Sequence, residues 1–216
     1  MTVDLRLLAI VDPDVLAGRD LVAAARAAEA GGATAVQLRM KRAGAGAMAA
    51  LARRLRAALT VPVYVNDRAD VAWAARAHGV HVGADDLPVE PLRRVAPRGF
   101  RIGVSVGTPA EAEAARRGEP DYWSIGSLFA TSTKPDAGAP IGIAGFRALA
   151  ALAPAGMPVI GIGGITAENA GALIQAGARG VAAISAIFTA GDIERAARQL
   201  RDAVDTAMKR DEPRKG

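Results

Sequence analysis

A single (β/α)8 barrel is the fold this sequence predicts, and three observations predict it. Eight short apolar runs, patterned as strands buried on both faces, alternate strictly with eight stretches of helical pattern. The alternation repeats roughly every 27 residues along a chain of 216, which is the spacing of eight βα units. Alanine fills 51 positions while aromatics make up only 4%, as expected of small-residue helices packed close on a sheet, since alanine is the best helix former and buries little area. A doubly wound open sheet shares this alternation, so periodicity alone leaves both arrangements open.

The elements follow in order. The strand Leu7–Val11 is a five-residue apolar run, and the helix Leu21–Ala30 after it is stopped by Gly31 and Gly32. Strand Ala35–Leu38 leads to a helix over 46–59, and strand 61–65 to a helix over 69–77 that ends before Gly79. Strand 80–82 precedes a helix over 89–96; strand 102–106 precedes a helix over 109–117 that Gly118 stops. Strand Tyr122–Ile125 opens into one long connection over 126–143, before a helix over 145–152. Loops of that length in a compact domain are usually functional. Strand Val159–Ile162, a helix over 168–176 stopped by Gly177, strand 181–184 and a helix over 193–208 complete the chain. We expect one catalytic barrel domain over residues 1–208 and a charged, disordered tail over 209–216.

Composition excludes several functions. With no cysteine, disulfides, thiolate nucleophiles and cysteine zinc sites are ruled out. The five-residue apolar run after Arg6 is too short for a signal h-region or a membrane span, which predicts a soluble, cytoplasmic protein with no membrane partner. The formal charge is +5, and the last eight residues carry four cations and two anions, so the tail accounts for +2 of it. No arginine run is interleaved with aromatics, and no nucleic acid is expected as partner.

A barrel carries its chemistry at the C-terminal ends of its strands, and the polar residues fall there. Gln37, Arg39 and Lys41 follow the second strand, Asn66 and Asp67 the third, Asp85 and Asp86 the fourth; Ser105 closes the fifth. Thr131, Thr133 and Lys134 come after the sixth, Gly163 and Gly164 after the seventh, and Ile184 and Ser185 end the eighth. Arg39, Lys41 and Lys134 are suited to a polyanion such as pyrophosphate. Asp67 and Asp86, from adjacent strands, are hard oxygen ligands suited to Mg²⁺ shared with a phosphorylated substrate. The bland alternative has Asp67 capping the helix at Ala69 and Asp85 or Asp86 in a turn. The glycine-rich segment after the seventh strand, with the end of the eighth, is the usual barrel position for a monophosphate.

Three other patterns are set aside. Gly103-Val-Ser105-Val-Gly107 matches a hydrolase nucleophile elbow, but both histidines, His78 and His81, precede the serine, whereas that fold needs one after it. His78 and His81 read as a surface residue and a packed strand end rather than a zinc site. Gly161, Gly163 and Gly164 lack the spacing and the downstream acid of a dinucleotide fingerprint.

The segments Val36-Gln-Leu-Arg-Met-Lys41, Val65-Asn-Asp-Arg68, Gly79-Val-His-Val-Gly83 with Asp86-Leu-Pro, Thr131-Ser-Thr-Lys-Pro-Asp136 and Ile162-Gly-Gly-Ile-Thr166, in this order, resemble the thiamine-phosphate synthase family. The resemblance implies a TIM barrel that joins an aminopyrimidine diphosphate to a thiazole phosphate with Mg²⁺, releasing pyrophosphate by a dissociative, carbocation mechanism. It implies that Gln37, Arg39, Lys41, Asn66, Ser105 and Lys134 hold the pyrimidine diphosphate, with Arg39, Lys41, Ser105 and Lys134 catalytic. Asp67 and Asp86 would bind Mg²⁺; Thr131, Thr133, Gly163, Ile184 and Ser185 would receive the thiazole phosphate. Both partners are then small molecules, and a homo-oligomer is compatible with the pattern. Two departures stand out: Ala84 where the family often has Gln, and Ser127 where it often has Pro. Two other functions compete. The related thiazole tautomerase needs an acid–base residue and has no use for the cations and carboxylates. A non-catalytic sensor of a phosphorylated ligand would use only the glycine-rich zone.

Overall fold

The computed structural model describes residues 3–131 and 139–211. Eight parallel strands close into one barrel in sequence order: β1 (Leu7–Val11), β2 (Ala35–Leu38), β3 (Val63–Asn66), β4 (Gly79–Val82), β5 (Arg101–Val106), β6 (Tyr122–Ile125), β7 (Val159–Ile162) and β8 (Val181–Ala183). Closure by β1–β8 pairing, with Leu8 opposite Ala182, excludes the open sheet. The helices are α1 (Leu21–Ala30), α2 (Ala45–Ala58), α3 (Ala69–Ala74), α4 (Val89–Val95), α5 (Pro109–Gly118), α6 (Gly142–Ala150), α7 (Ala167–Gln175), α8 (Ser185–Phe188) and α9 (Ile193–Asp211).

Most element bounds fall within a residue of expectation, and the larger differences have physical causes. The third strand begins at Val63 rather than residue 61 and reaches Asn66, because Pro62 has no N–H to give a ladder. Helix α6 starts at Gly142, three residues early. A single turn, α8, interrupts the last βα connection; four residues are too few to carry a readable helical period. The last helix runs through Lys209 and Arg210 to Asp211, so the domain boundary expected after residue 208 falls inside α9.

Every strand alternates. Leu7, Ala9 and Val11 face the helices, whereas Leu8, Ile10, Ala35, Tyr64, Tyr122, Ile160 and Ala182 pack together inside the barrel. The helices lie close because their inner faces are small: α1 buries Leu21, Ala24, Ala25 and Ala28. Helix α9 packs on α1 and α7, across the seam where the first and last βα units meet. At the floor, the Tyr64 and Tyr122 rings meet edge-on with centroids 5.9 Å apart. Glycines make room for both rings. A Cβ on Gly79 would lie 2.8 Å from the Tyr64 ring, and one on Gly103 would fall on the Tyr122 ring. The first glycine of the elbow-like segment is therefore a packing requirement. Above this floor the barrel opens into a polar mouth.

Candidate active site

The same alternation that sends Leu8 and Ile10 inward lifts the next inward residue of each strand to the rim. Gln37, Asn66, His81, Ser105 and Ser124 occupy this layer on β2 to β6. They are adjacent because the register pairs Asn66 with His81 and Ser105 with Ser124. Gln37 and Asn66 are buried, and the Gln37 Nε2 donates to Asn66 Oδ1 at 2.8 Å. The Gln37 Oε1 is left without a hydrogen-bond partner among the described residues. A buried acceptor in that state costs about 1–3 kcal/mol, so a ligand N–H is the natural complement.

Arg39 and Lys41, the two expected site cations that are described, each already have a carboxylate. Arg39 pairs with Asp12, just past the end of β1, and Asp12 is 1% exposed. The Lys41 Nζ donates to Asp67 Oδ2 at 2.7 Å. Asp67 adopts φ +65° and caps nothing, because α3 takes no side-chain cap. Asp86 sits in the turn after β4, where its Oδ2 accepts the Gly83 N–H at 2.7 Å. The turn half of the bland alternative therefore holds for Asp86, and the capping half fails for Asp67. Burial pushes the Asp86 carboxyl above its ordinary range, and the adjacent Asp67 carboxylate adds to the rise against Gly83 N–H and Lys41. Two convergent carboxylates with negative charge in excess suit a divalent cation. Among the described residues no group of three or more His, Cys, Asp or Glu could hold a metal. A pair is nonetheless what Mg²⁺ takes when substrate phosphates and water fill its remaining positions. The residues present fit that ion.

Ser105 is more than a rim hydroxyl. Its Oγ lies 3.0 Å from His81 Nε2, and His81 Nδ1 lies 3.0 Å from the Tyr122 hydroxyl. His81 is buried, as a packed strand-end residue should be, but it also links Ser105 to the barrel floor. Complete burial, with minor additions from Tyr64 and Asp121, holds the Tyr122 phenol well above its usual pKa, so it stays neutral. His78 is exposed and accepts the Val63 N–H through Nδ1.

The rest of the mouth is a cavity of about 490 Å³ whose described lining takes in Ser105, Thr131, Gly163, Ile184 and Ser185 together with the carboxylates Asp85 and Glu111. That volume suits a small molecule. Gly163 and Gly164 have φ +98° and +63°, and a Cβ on either would strike the segment that follows β6. That segment is laid on β7 by Leu128 N–H to Ile162 O and Phe129 N–H to Gly163 O, both 3.0 Å. Ser127, one of the two departures, packs over Gly163, and its peptide bond to Gly126 is cis. Ala84, the other, is exposed at the cavity edge. Thr133 and Lys134 lie outside the described residues. The fold thus gathers the expected cations Arg39 and Lys41 with Asp67 and Asp86 on the β1–β4 side, and Thr131, Gly163, Ile184 and Ser185 on the β6–β8 side. Sequence reasoning missed Asp12 and the role of His81. Asp12's one available signal was its place directly after the first strand.

Comparison with known proteins places this geometry. The family described as thiamine monophosphate synthase matches residues 7–187. The thiamine-phosphate synthase of Moorella thermoacetica is 42% identical over 204 residues, 93% of this chain and 96% of that relative. The enzyme of the same name from Methanoregula boonei is 46% identical over 206 residues, 94% of each chain. The solved structure of thiamine phosphate pyrophosphorylase from Pyrococcus furiosus superposes with a TM-score of 0.84 at 35% identity, covering 95% of this chain and 98% of that one.

Proposed function

The chain belongs to the thiamine monophosphate synthase family and is a transferase that makes thiamine phosphate; from that premise we propose how its residues divide the reaction. The aminopyrimidine diphosphate sits over the Gln37–Asn66 pair, with its amino group donating to the unpartnered Gln37 Oε1. Its diphosphate lies toward Arg39 and Lys41, with Lys134 joining from the loop after β6. The thiazole phosphate occupies the cavity, its phosphate at Thr131, Thr133, Gly163 and Ser185 and its ring against Ile184.

Bond cleavage comes first. The methylene C–O bond breaks and its electron pair leaves with pyrophosphate, whose charge Arg39, Lys41 and Lys134 stabilise. The pyrimidine carbocation is stabilised by its amino group, whose N–H becomes more acidic as charge develops and binds Gln37 Oε1 more strongly. The thiazole nitrogen then gives its lone pair to the methylene carbon, forming the new C–N bond. No general base is needed to create this nucleophile. Mg²⁺ held by Asp67 and Asp86 would supply further charge neutralisation at the departing pyrophosphate. Ser105, oriented by His81, faces the junction between the two halves.

The observation that carries this reading is one barrel mouth that sets the cations Arg39 and Lys41 on one side and a glycine-backed cavity, lined in part by Ser105, on the other. A polyanionic leaving group calls for the cations, and the glycine-rich backbone after β7 suits the phosphate of the second substrate. No helix among the described residues is long and apolar enough to cross a membrane, and a cytoplasmic enzyme acting on small molecules accords with that. The test supplies purified protein with both phosphorylated halves and follows thiamine phosphate, with and without Mg²⁺. The expected result is Mg²⁺-dependent product with one pyrophosphate per turnover. Absence of product while a control synthase is active would end the reading. Conversion of the thiazole phosphate alone would favour the tautomerase.

A further inference from the structure

The two described cations on the diphosphate side are not equivalent. Lys41 reaches Asp67 from a half-exposed position, and that carboxylate is one of the pair suited to a metal ion. Arg39 is 13% exposed and its partner only 1%. Asp12 is the inward residue after Ile10, and the register that sets Val11 opposite Leu38 brings Arg39 beside it. The Arg39 N–H donates to Val11 O at 3.0 Å, which locks that register at the rim. One Asp12 oxygen, Oδ1, accepts the Asp14 N–H at 3.0 Å, and the other takes the Arg39 guanidinium. The carboxylate is therefore fixed by backbone on one side and grips the arginine on the other.

Resting on the function proposed above, we propose that Asp12 is a positioning residue for the diphosphate: it holds the Arg39 guanidinium in place at the barrel mouth and does not itself touch substrate. Its charge alone would oppose an anion, so two effects of opposite sign compete. The positional effect wins, because bidentate recognition of phosphate by a guanidinium depends on the orientation of its planar fork, which the carboxylate sets. Without that carboxylate, a long arm whose Nε is buried and unpartnered among the described residues loses the described side chain that fixes the planar fork for phosphate.

The experiment is calorimetric titration of inorganic pyrophosphate with Mg²⁺ into the intact protein, for wild type, Asp12→Asn, Arg39→Met and the double variant. Asparagine keeps the shape and the acceptor for Asp14 and loses the charge. Asp12→Asn should weaken pyrophosphate by about ten- to a hundred-fold, the weight of a hydrogen bond to a charged group. The KM for the aminopyrimidine diphosphate should rise in step while that for the thiazole phosphate stays put. In the Arg39→Met background Asp12→Asn should weaken pyrophosphate no further, because Asp12 acts only through Arg39. Unchanged or tighter pyrophosphate binding in Asp12→Asn, an equal loss in the Arg39→Met background, or a rise in both KM values would overturn the proposal. Should Asp12→Asn fail to fold, Asp12→Glu keeps the charge and shifts the guanidinium by one methylene; wild-type diphosphate affinity in that variant overturns it equally. A wild-type protein that binds pyrophosphate with this coupling yet forms no thiamine phosphate would sink the functional reading instead.

Discussion

Gly103 offers a direct measure of how far the barrel floor supports the site. A Cβ there would fall on the ring of Tyr122, which is fully buried and braced edge-on by Tyr64. Gly103→Ala adds a methyl group to an interior with no free volume for it, an overpacking that costs about 1–3 kcal/mol. In a domain of this size each kcal/mol moves the melting temperature by roughly 2–4 °C, so Tm should fall by about 2–12 °C. The damage should also reach the chemistry. The Tyr122 hydroxyl lies 3.0 Å from His81 Nδ1, and His81 Nε2 lies 3.0 Å from Ser105 Oγ, so a displaced ring carries the imidazole away from the serine. Gly46→Ala is the control: a Cβ at Gly46, inside α2, meets nothing within 4 Å, and the substitution should stabilise by up to about 1 kcal/mol. Calorimetric melting and steady-state product formation read both variants. If Gly103→Ala kept the wild-type Tm and kcat, the link from floor to site would be refuted.

Three further outcomes are expected. Tyr122→Phe keeps the ring but removes the hydroxyl that hydrogen-bonds His81 Nδ1, costing about 0.5–1.5 kcal/mol; Ser105→Ala added to it should lower kcat little further, a cycle checked by initial rates. The Asp86 carboxyl is raised above its ordinary value of 3.8, first by burial and then by Asp67. A raised folded-state value means stability that is full below the unfolded value and lost as pH rises through the folded one. Asp86→Asn should therefore raise Tm at neutral pH without metal, flatten the loss of stability above pH 4, and abolish stabilisation by Mg²⁺; melting curves across pH with and without the ion decide this. Asp67→Asn should remove Mg²⁺ stabilisation as well and free Lys41 of its 2.7 Å partner; a variant still stabilised by Mg²⁺ to the wild-type extent would contradict the two-carboxylate site.

Much of this was legible before any coordinates. Strand positions could be read because a strand buried on both faces has to be apolar on consecutive residues, as in Leu7–Val11 and Val159–Ile162. Rim residues could be read because chemistry sits just beyond those runs. The departures have equally particular causes. Asp12 looked like an ordinary loop residue after a strand, since nothing local marks a carboxylate whose partner is 27 residues away. His81 looked like packing because the side chains its ring nitrogens meet, Ser105 and Tyr122, are both 24 or more residues distant. A four-residue helix such as α8 leaves no period to detect.

Periodicity and residue type, then, were enough for the barrel, for its order of strands and for the roster of groups at its mouth, because burial of a strand or a helix face is imposed locally on the residues that form it. Partnership was not contained there. That Arg39 meets Asp12 while Lys41 meets Asp67, and that Gln37 keeps one acceptor free among the described residues, follow from the register of a closed eight-stranded sheet. The strength of a charge or hydrogen bond depends on separation and on the water removed around it, and both quantities exist only once the strands have closed.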